Sequence, residues 1–323
     1  MLKSLIKRLK NSFKKRFNIF CKQIIYKALI LQHNQKKWNK YSYSNKEIIW
    51  VLGMFRSGTS LTSQILMELG ADFGSNNDLL KPIGKFKNLN PNGFFENFIL
   101  VEYSRYFLNE INKSGSNPPK TNEEVNVSFN DVKFNKLVYL SLFKINEDRV
   151  LLINKYRAFR KLSKSGIYKY AEKYFSDNAT IKNPSLSFFY EQIDLSFPNS
   201  KYLIVYRNPD SVLKSSRVLT EKNNYELYNT YHEHFIELKD KKNVTYFSYD
   251  NLIKNPEASI KKLSKELSLK SDIKSINKAV NLLDDKLLRN KPDKMYLQEN
   301  STKIIFNELN SMCCNQNDNI KEI

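Results

Sequence analysis

Cysteine is scarce: three in 323 residues, at positions 21, 313 and 314, with no Cys-x-x-Cys pair and no cysteine beside a histidine. Neither a disulfide framework nor a zinc centre is indicated, and a reducing compartment fits such usage. Long apolar runs are missing too. None approaches the roughly 18 residues of a membrane-spanning helix. The basic start has no long apolar core followed by small residues, so no signal peptide is expected. Acid is absent from the first 46 positions, whereas residues 1–40 carry twelve Lys/Arg; the first acid is Glu47. The remaining chain holds 41 Lys/Arg against 33 Asp/Glu, so most of the net +20 charge is concentrated at one end. A body with so small an excess, and with no recognisable nucleic-acid module, argues against a nucleic-acid partner.

What is present is a globular composition, 41% hydrophobic and 13% aromatic, with length for one large α/β domain and additions, or for two small domains. In residues 1–32, Leu2, Leu5, Ile6, Leu9, Phe13, Phe17, Phe20, Ile24 and Ile25 recur at helical spacing among lysines and arginines. Such a helix suits an anionic membrane surface; packing on the body is the alternative. Asn34 to Lys46 reads as a polar linker. The organisation expected is therefore a basic segment and linker over 1–46, an α/β domain over 47–290 and a polar, loosely held tail over 291–323.

The chemistry begins at Ile48–Leu52, a continuous apolar run typical of a strand buried on both faces. It ends at Gly53. Leu61, Ile65, Leu66 and Leu69 then recur at helical spacing, and Gly70 closes the helix. A strand, a glycine-bounded loop and a helix aim backbone amides and a positive helix end at an anion. Against the phosphate-loop pattern G-x-x-x-x-G-K-[ST], Gly53, Gly58 and Ser60 match, but Thr59 stands where lysine belongs. The loop's cation is Arg56 instead. Amides, hydroxyls and one guanidinium suit a less charged anion held without metal, whereas a nucleoside triphosphate relies on that lysine and Mg²⁺.

Farther on, Asn90-Pro91-Asn92-Gly93 marks a turn that delivers Phe94-Phe95-Glu96-Asn97, with a helix expected from Phe98 to Ile111. Residues 112–130, with Pro118-Pro119, read as an exposed loop, and 131–176 as mostly helical. Strands are expected at 179–182, 201–206 and 244–248. Asn255-Pro256-Glu257 announces a helix, another is expected over 273–290, and no repeat is present. Strands alternating with helices predict an α/β fold, a central parallel sheet flanked by helices. Arg207 follows the strand at 201–206, and Ser215 lies two turns into the helix behind it; an arginine and a hydroxyl so placed can grip one phosphate. Ligands of such sheets collect beyond the carboxyl ends of the strands. Two anion sites on one edge suggest a nucleotide phosphorylated at both ends. His232 and His234 diverge on a helix and read as surface or packing residues; His33 belongs to the basic segment.

With these motifs the chain resembles the sulfotransferase family that uses 3′-phosphoadenosine 5′-phosphosulfate, in particular its bacterial branch with an Arg-Ser-Gly-Thr-Ser loop. Gly53 to Leu61 is similar to the family's 5′-phosphosulfate loop, and Tyr206-Arg207-Asn208-Pro209 through Ser215 to its 3′-phosphate site. Asn90 to Asn97, and Tyr249-Asp250-Asn251-Leu252 with Asn255-Pro256, are similar to two further elements of the branch. Lys182-Asn183-Pro184-Ser185 departs from the usual Lys-Asp-Pro-Arg. The late glycine-rich basic element of cytosolic members is missing, with Arg289 and Lys291 its nearest substitutes.

The resemblance implies a three-layer fold like that of P-loop proteins and an in-line sulfonate transfer that needs no metal. Arg56 would neutralise charge on the bridging oxygen. Ser57, Gly58, Thr59 and Ser60 would hold the 5′-phosphate, and Arg207 with Ser215 the 3′-phosphate. Glu96, just beyond a turn among Phe94, Phe95 and Phe98, is the expected base. Lys182, at a strand end, would touch the sulfonate or the base, with a structural role as the alternative. Residues 80–175 would shape the acceptor side, for a carbohydrate hydroxyl of a glycan or glycolipid. A cytoplasmic place, at the inner membrane face if the basic helix lies on lipid, is expected. A phosphotransferase of the same fold and a non-catalytic basic membrane-associated protein are the alternatives.

Overall fold

A computed structural model describes residues 2–34, 44–83, 87, 90–121, 125–144, 152–216, 225–283 and 300–318. Trp38, Tyr41, Arg289 and Lys291, most of the expected linker, residues 84–86 and 88–89 of the loop before Asn90, and residues 284–290 of the expected helix lie outside the described residues. In chain order come α1 (Leu2–Asn34), β1 (Ile48–Leu52), α2 (Thr59–Glu68), α3 (Phe98–Glu110) and α4 (Phe134–Tyr139), which runs into a π-helical turn at Leu140–Lys144. Then follow α5 (Leu152–Tyr174), β2 (Thr180–Lys182), α6 (Tyr190–Ser196), β3 (Ser200–Tyr206), α7 (Pro209–Ser216) and α8 (Tyr225–Ile236). The chain continues through β4 (Val244–Ser248), α9 (Tyr249–Lys254), α10 (Pro256–Glu266), α11 (Ile273–Val280) and α12 (Asn300–Asp318).

The four strands pair in parallel in the order β2-β1-β3-β4. Each apolar run is sealed on both faces. Ile48, Trp50 and Leu52 of β1, with Tyr202, Ile204 and Tyr206 of β3, pack under α3, α5 and α8. Ile49, Val51, Leu203 and Val205 face the other way, against Ile65 and Leu66 of α2 and Ile260 and Leu263 of α10. These are the three layers, helices on a central parallel sheet, that strand–helix alternation predicts. The indole N–H of buried Trp50 donates to Ser200 Oγ at 2.9 Å, so the ring is buried with its polar atom satisfied.

The strand order decides where a ligand can sit. From β1 the chain goes to β2 on one side, then crosses to β3 on the other, so the order reverses between β1 and β3. The loops leaving neighbouring strands on opposite sides part there and leave a crevice. Gly53 to Gly58 leaves the carboxyl end of β1, and Arg207 that of β3.

Two expectations need correction. The C-terminal residues are not all a loose tail: α12 packs on α8 and β4, burying Ile305, Phe306, Leu309 and Cys313 at helical spacing. Pro118 and Pro119 are buried, not part of an exposed loop, because Tyr231 and His234 of α8 hold that segment through the carbonyls of Gly115 and Pro119. His232 and His234 are accordingly packing residues, both buried. The basic helix α1 packs through its C-terminal half: Leu29 is buried, Tyr26 meets the rings of Tyr139 and Phe143, and His33 stacks on Phe134.

Candidate active site

The loop after β1 is shaped by left-handed backbone. Gly53 has φ 150°, and a Cβ there would lie 2.4 Å from the carbonyl oxygen of Val205 in β3. Gly58 has φ 95°, and a Cβ would fall 2.1 Å from Cδ2 of the Tyr249 ring. Arg56, at φ 72°, holds the same region with a side chain, a strained conformation that persists only where surroundings impose it. Gly58 starts α2 with no side chain capping its first turn. The first-turn amides of Thr59, Ser60 and Leu61 have no carbonyl a turn behind them and are directed at whatever fills the crevice. Ser57 is fully buried, and its hydroxyl has no hydrogen-bond partner among the described residues.

Residues distant in sequence close on this loop. Arg56 Nε donates to Ser215 Oγ of α7 at 2.9 Å, so the two anion sites read from the sequence meet across the crevice. Arg207, buried at the end of β3, lies with its guanidinium carbon 4.6 Å from the Tyr249 ring centre. Burial pushes the Tyr249 hydroxyl above its ordinary pKa, while Arg207 and Arg56 act against that shift. Asp250 accepts from the Asn208 amide at 2.6 Å, clamping the end of β3. Burial raises its pKa, and that amide, Arg207 and Lys254 oppose the rise. The result is a crevice with two guanidiniums, an uncapped helix start and a spare buried hydroxyl. That donor set fits a phosphorylated nucleotide.

On the β2 side, Lys182 Nζ sits 2.5 Å from Glu96 Oε1 and 3.5 Å from Ser60 Oγ. The lysine and glutamate side chains are only 4% and 15% exposed, so this pair is held largely away from water. Glu96 is presented by a kinked segment. Phe95 has φ 58°, and Asn97 caps α3 by accepting from the amides of Ile99 and Leu100. Asn183, where the resemblance leads one to expect aspartate, has a structural role. Its oxygen accepts from the Ser185 amide, and its nitrogen donates to the Leu100 carbonyl and to Ser104 on α3.

Sequence reasoning did not assign Tyr249 a role. Its position directly after a buried parallel strand was the available signal. The ring contacts of Phe55 with Tyr231 and of Tyr231 with Phe188, centres 6.0 and 4.5 Å apart, left no sequence signal because the three residues come from distant segments. Beyond Glu96, the Leu80 amide donates to the Glu96 carbonyl and the Phe98 amide to that of Asp78. Asp78 in turn lines a cleft of about 440 Å³ with Asn77, Asn154, Arg157, Arg160 and Lys161. No cluster of His, Cys, Asp and Glu suited to a metal occurs among the described residues.

A family model described as "Sulfotransferase family" matches residues 49–272. Among solved structures, the sulfotransferase domain from the Synechococcus PCC 7002 olefin synthase aligns at 14% identity, over 85% of this chain and 92% of that one, with a TM-score of 0.41. A sulfotransferase from Mycobacterium tuberculosis aligns at 14% identity over 90% and 81%, with a TM-score of 0.40. The sulfotransferase domain from the curacin biosynthetic pathway aligns at 14% identity over 83% and 98%, with a TM-score of 0.42. No curated protein matches the chain.

Proposed function

The chain belongs to the sulfotransferase family, a family of transferases that move sulfonate groups, and on that premise we propose that 3′-phosphoadenosine 5′-phosphosulfate is its donor and a carbohydrate hydroxyl its acceptor. The observation that carries this reading is the bridge made by Lys182, which joins Glu96 to Ser60 in the first turn of α2, directly after the β1 loop. A base and a donor loop that share one lysine leave the transferred group a place between them.

In the proposed reaction Glu96 takes the proton of the acceptor hydroxyl, whose oxygen forms the new bond to sulfur. The bond from sulfur to the bridging oxygen breaks, and its electron pair stays on the 5′-phosphate of the departing 3′-phosphoadenosine 5′-phosphate. Arg56 neutralises the charge growing on that oxygen. Ser57, Gly58, Thr59 and Ser60 supply hydroxyls and amides to the 5′-phosphate. Arg207 and Ser215 bind the 3′-phosphate. Lys182 neutralises the sulfonate oxygens and holds Glu96 in position.

Calorimetric titration with 3′-phosphoadenosine 5′-phosphate, beside ATP with Mg²⁺, tests the donor. Metal-independent binding of the former is expected, followed by transfer from labelled donor to a glycan panel. Preference for ATP with Mg²⁺ would overturn the reading in favour of a phosphotransferase. Binding without transfer to any glycan would overturn the acceptor class alone.

A further inference from the structure

Helix α1 has two apolar faces, and among the described residues the core packs against one. Ile25, Tyr26, Leu29 and Ile30 pack against the core. Phe20, Ile24 and Leu31 are 58%, 52% and 64% exposed. At about 3.6 residues per turn the mean directions of the two groups differ by roughly half a turn. The exposed stripe therefore points directly away from α4 and α5, on which the helix is seated. In the sequence the same three-and-four spacing continues back through Phe13, Leu9, Ile6 and Leu2.

The charges around the stripe identify what covers it. Residues 2–34 carry nine Lys/Arg and no acid. By helical geometry Arg16 and Lys27 flank one side of the stripe and Lys14 the other. A second copy of the helix would set like charges against like. An anionic lipid surface would receive the apolar side chains and meet the flanking cations with phosphate. No described helix is long and apolar enough to cross a membrane, so contact of this kind lies in the plane of the interface.

We infer that the exposed face of α1 seats the protein on anionic membrane surfaces through Phe20, Ile24 and Leu31. The seat is separate from the crevice, and its test does not depend on what reaction the crevice performs.

Co-sedimentation of the full chain with phosphatidylcholine vesicles, with and without phosphatidylserine, gives the test. The expected result is binding to the mixed vesicles that weakens with salt and exceeds binding to phosphatidylcholine alone. F20S/I24S/L31S should lower it by roughly tenfold per position, with unchanged circular dichroism and an unchanged denaturant midpoint. Equal binding of variant and native chain would overturn the inference, as would no binding to either vesicle. Concentration-dependent dimers that the triple variant abolishes would overturn it in favour of a second copy.

Discussion

Replacing Lys182 with methionine is the most informative perturbation, because it separates two jobs of one side chain. The substitution keeps much of the volume but leaves the Glu96 carboxylate, 15% exposed, without the ammonium 2.5 Å away. Removing one member of a buried pair costs about 3–5 kcal/mol, much of it from the stranded charge. Partial access to water puts K182M near the lower end, about 3 kcal/mol. Neutralising the partner as well, in E96Q/K182M, removes that stranded charge and should recover most of the loss, about 2 kcal/mol relative to K182M. Turnover should behave differently. K182M should fall by roughly a hundredfold as charge stabilisation is lost, and the double variant should be no better, because its base is gone. Urea unfolding gives the stabilities, and labelled-donor transfer gives the rates. If K182M unfolds at the native midpoint, the pair contributes nothing and the geometry of the site is misread. Native turnover in the double variant would remove Glu96 as base.

Arg207→Ala should weaken 3′-phosphoadenosine 5′-phosphate by roughly ten- to a hundredfold, the worth of a charge-assisted contact. Its effect on an analogue without the 3′-phosphate should be small, and equal losses for both ligands would refute the assignment. Gly58→Ala meets the Tyr249 ring at 2.1 Å with φ at 95°, so a loss of about 2–4 kcal/mol is expected in urea unfolding. In a Tyr249→Ala background the loss should shrink to the backbone part of about 1–2 kcal/mol, and an undiminished loss would exclude the clash. His232 is fully buried, donates from Nδ1 to the Tyr228 carbonyl, and is held by burial at a pKa of about 4, below the ordinary 6.5. The unfolded chain binds that proton more readily, so the contribution is complete above pH 6.5 and is lost as pH falls to 4. The lost stability is about 3 kcal/mol. The denaturant midpoint of His232→Phe should vary less across this window, and parallel native and variant profiles would contradict the assignment.

The two central strands were legible in the sequence because Ile48–Leu52 and Tyr202–Tyr206 are buried on both faces and read as uninterrupted apolar runs. The β1 loop was legible for a related reason: Gly53 and Gly58 occupy positions where a Cβ has no room, and the apolar spacing after them is helical. The C-terminal helix was missed because its polar face outweighs the few apolar positions that dock it on α8 and β4. The buried state of Pro118 and Pro119 depends on donors from α8, more than a hundred residues on.

Composition, periodicity and short motifs determined the α/β class, the strands, the basic amphipathic helix, and the residue types suited to an anionic ligand. All of these follow from local burial and local backbone demands, which a sequence pattern records directly. Only the tertiary structure decided the pairings: Arg56 with Ser215, 159 residues apart, and Lys182 with Glu96, 86 apart. It also decided that Tyr249 covers Gly58 and that one apolar face of α1 remains exposed. The reason is strand order. An apolar run states that a strand is buried, but not which strand lies beside it, and the order β2-β1-β3-β4 brings these side chains to one crevice.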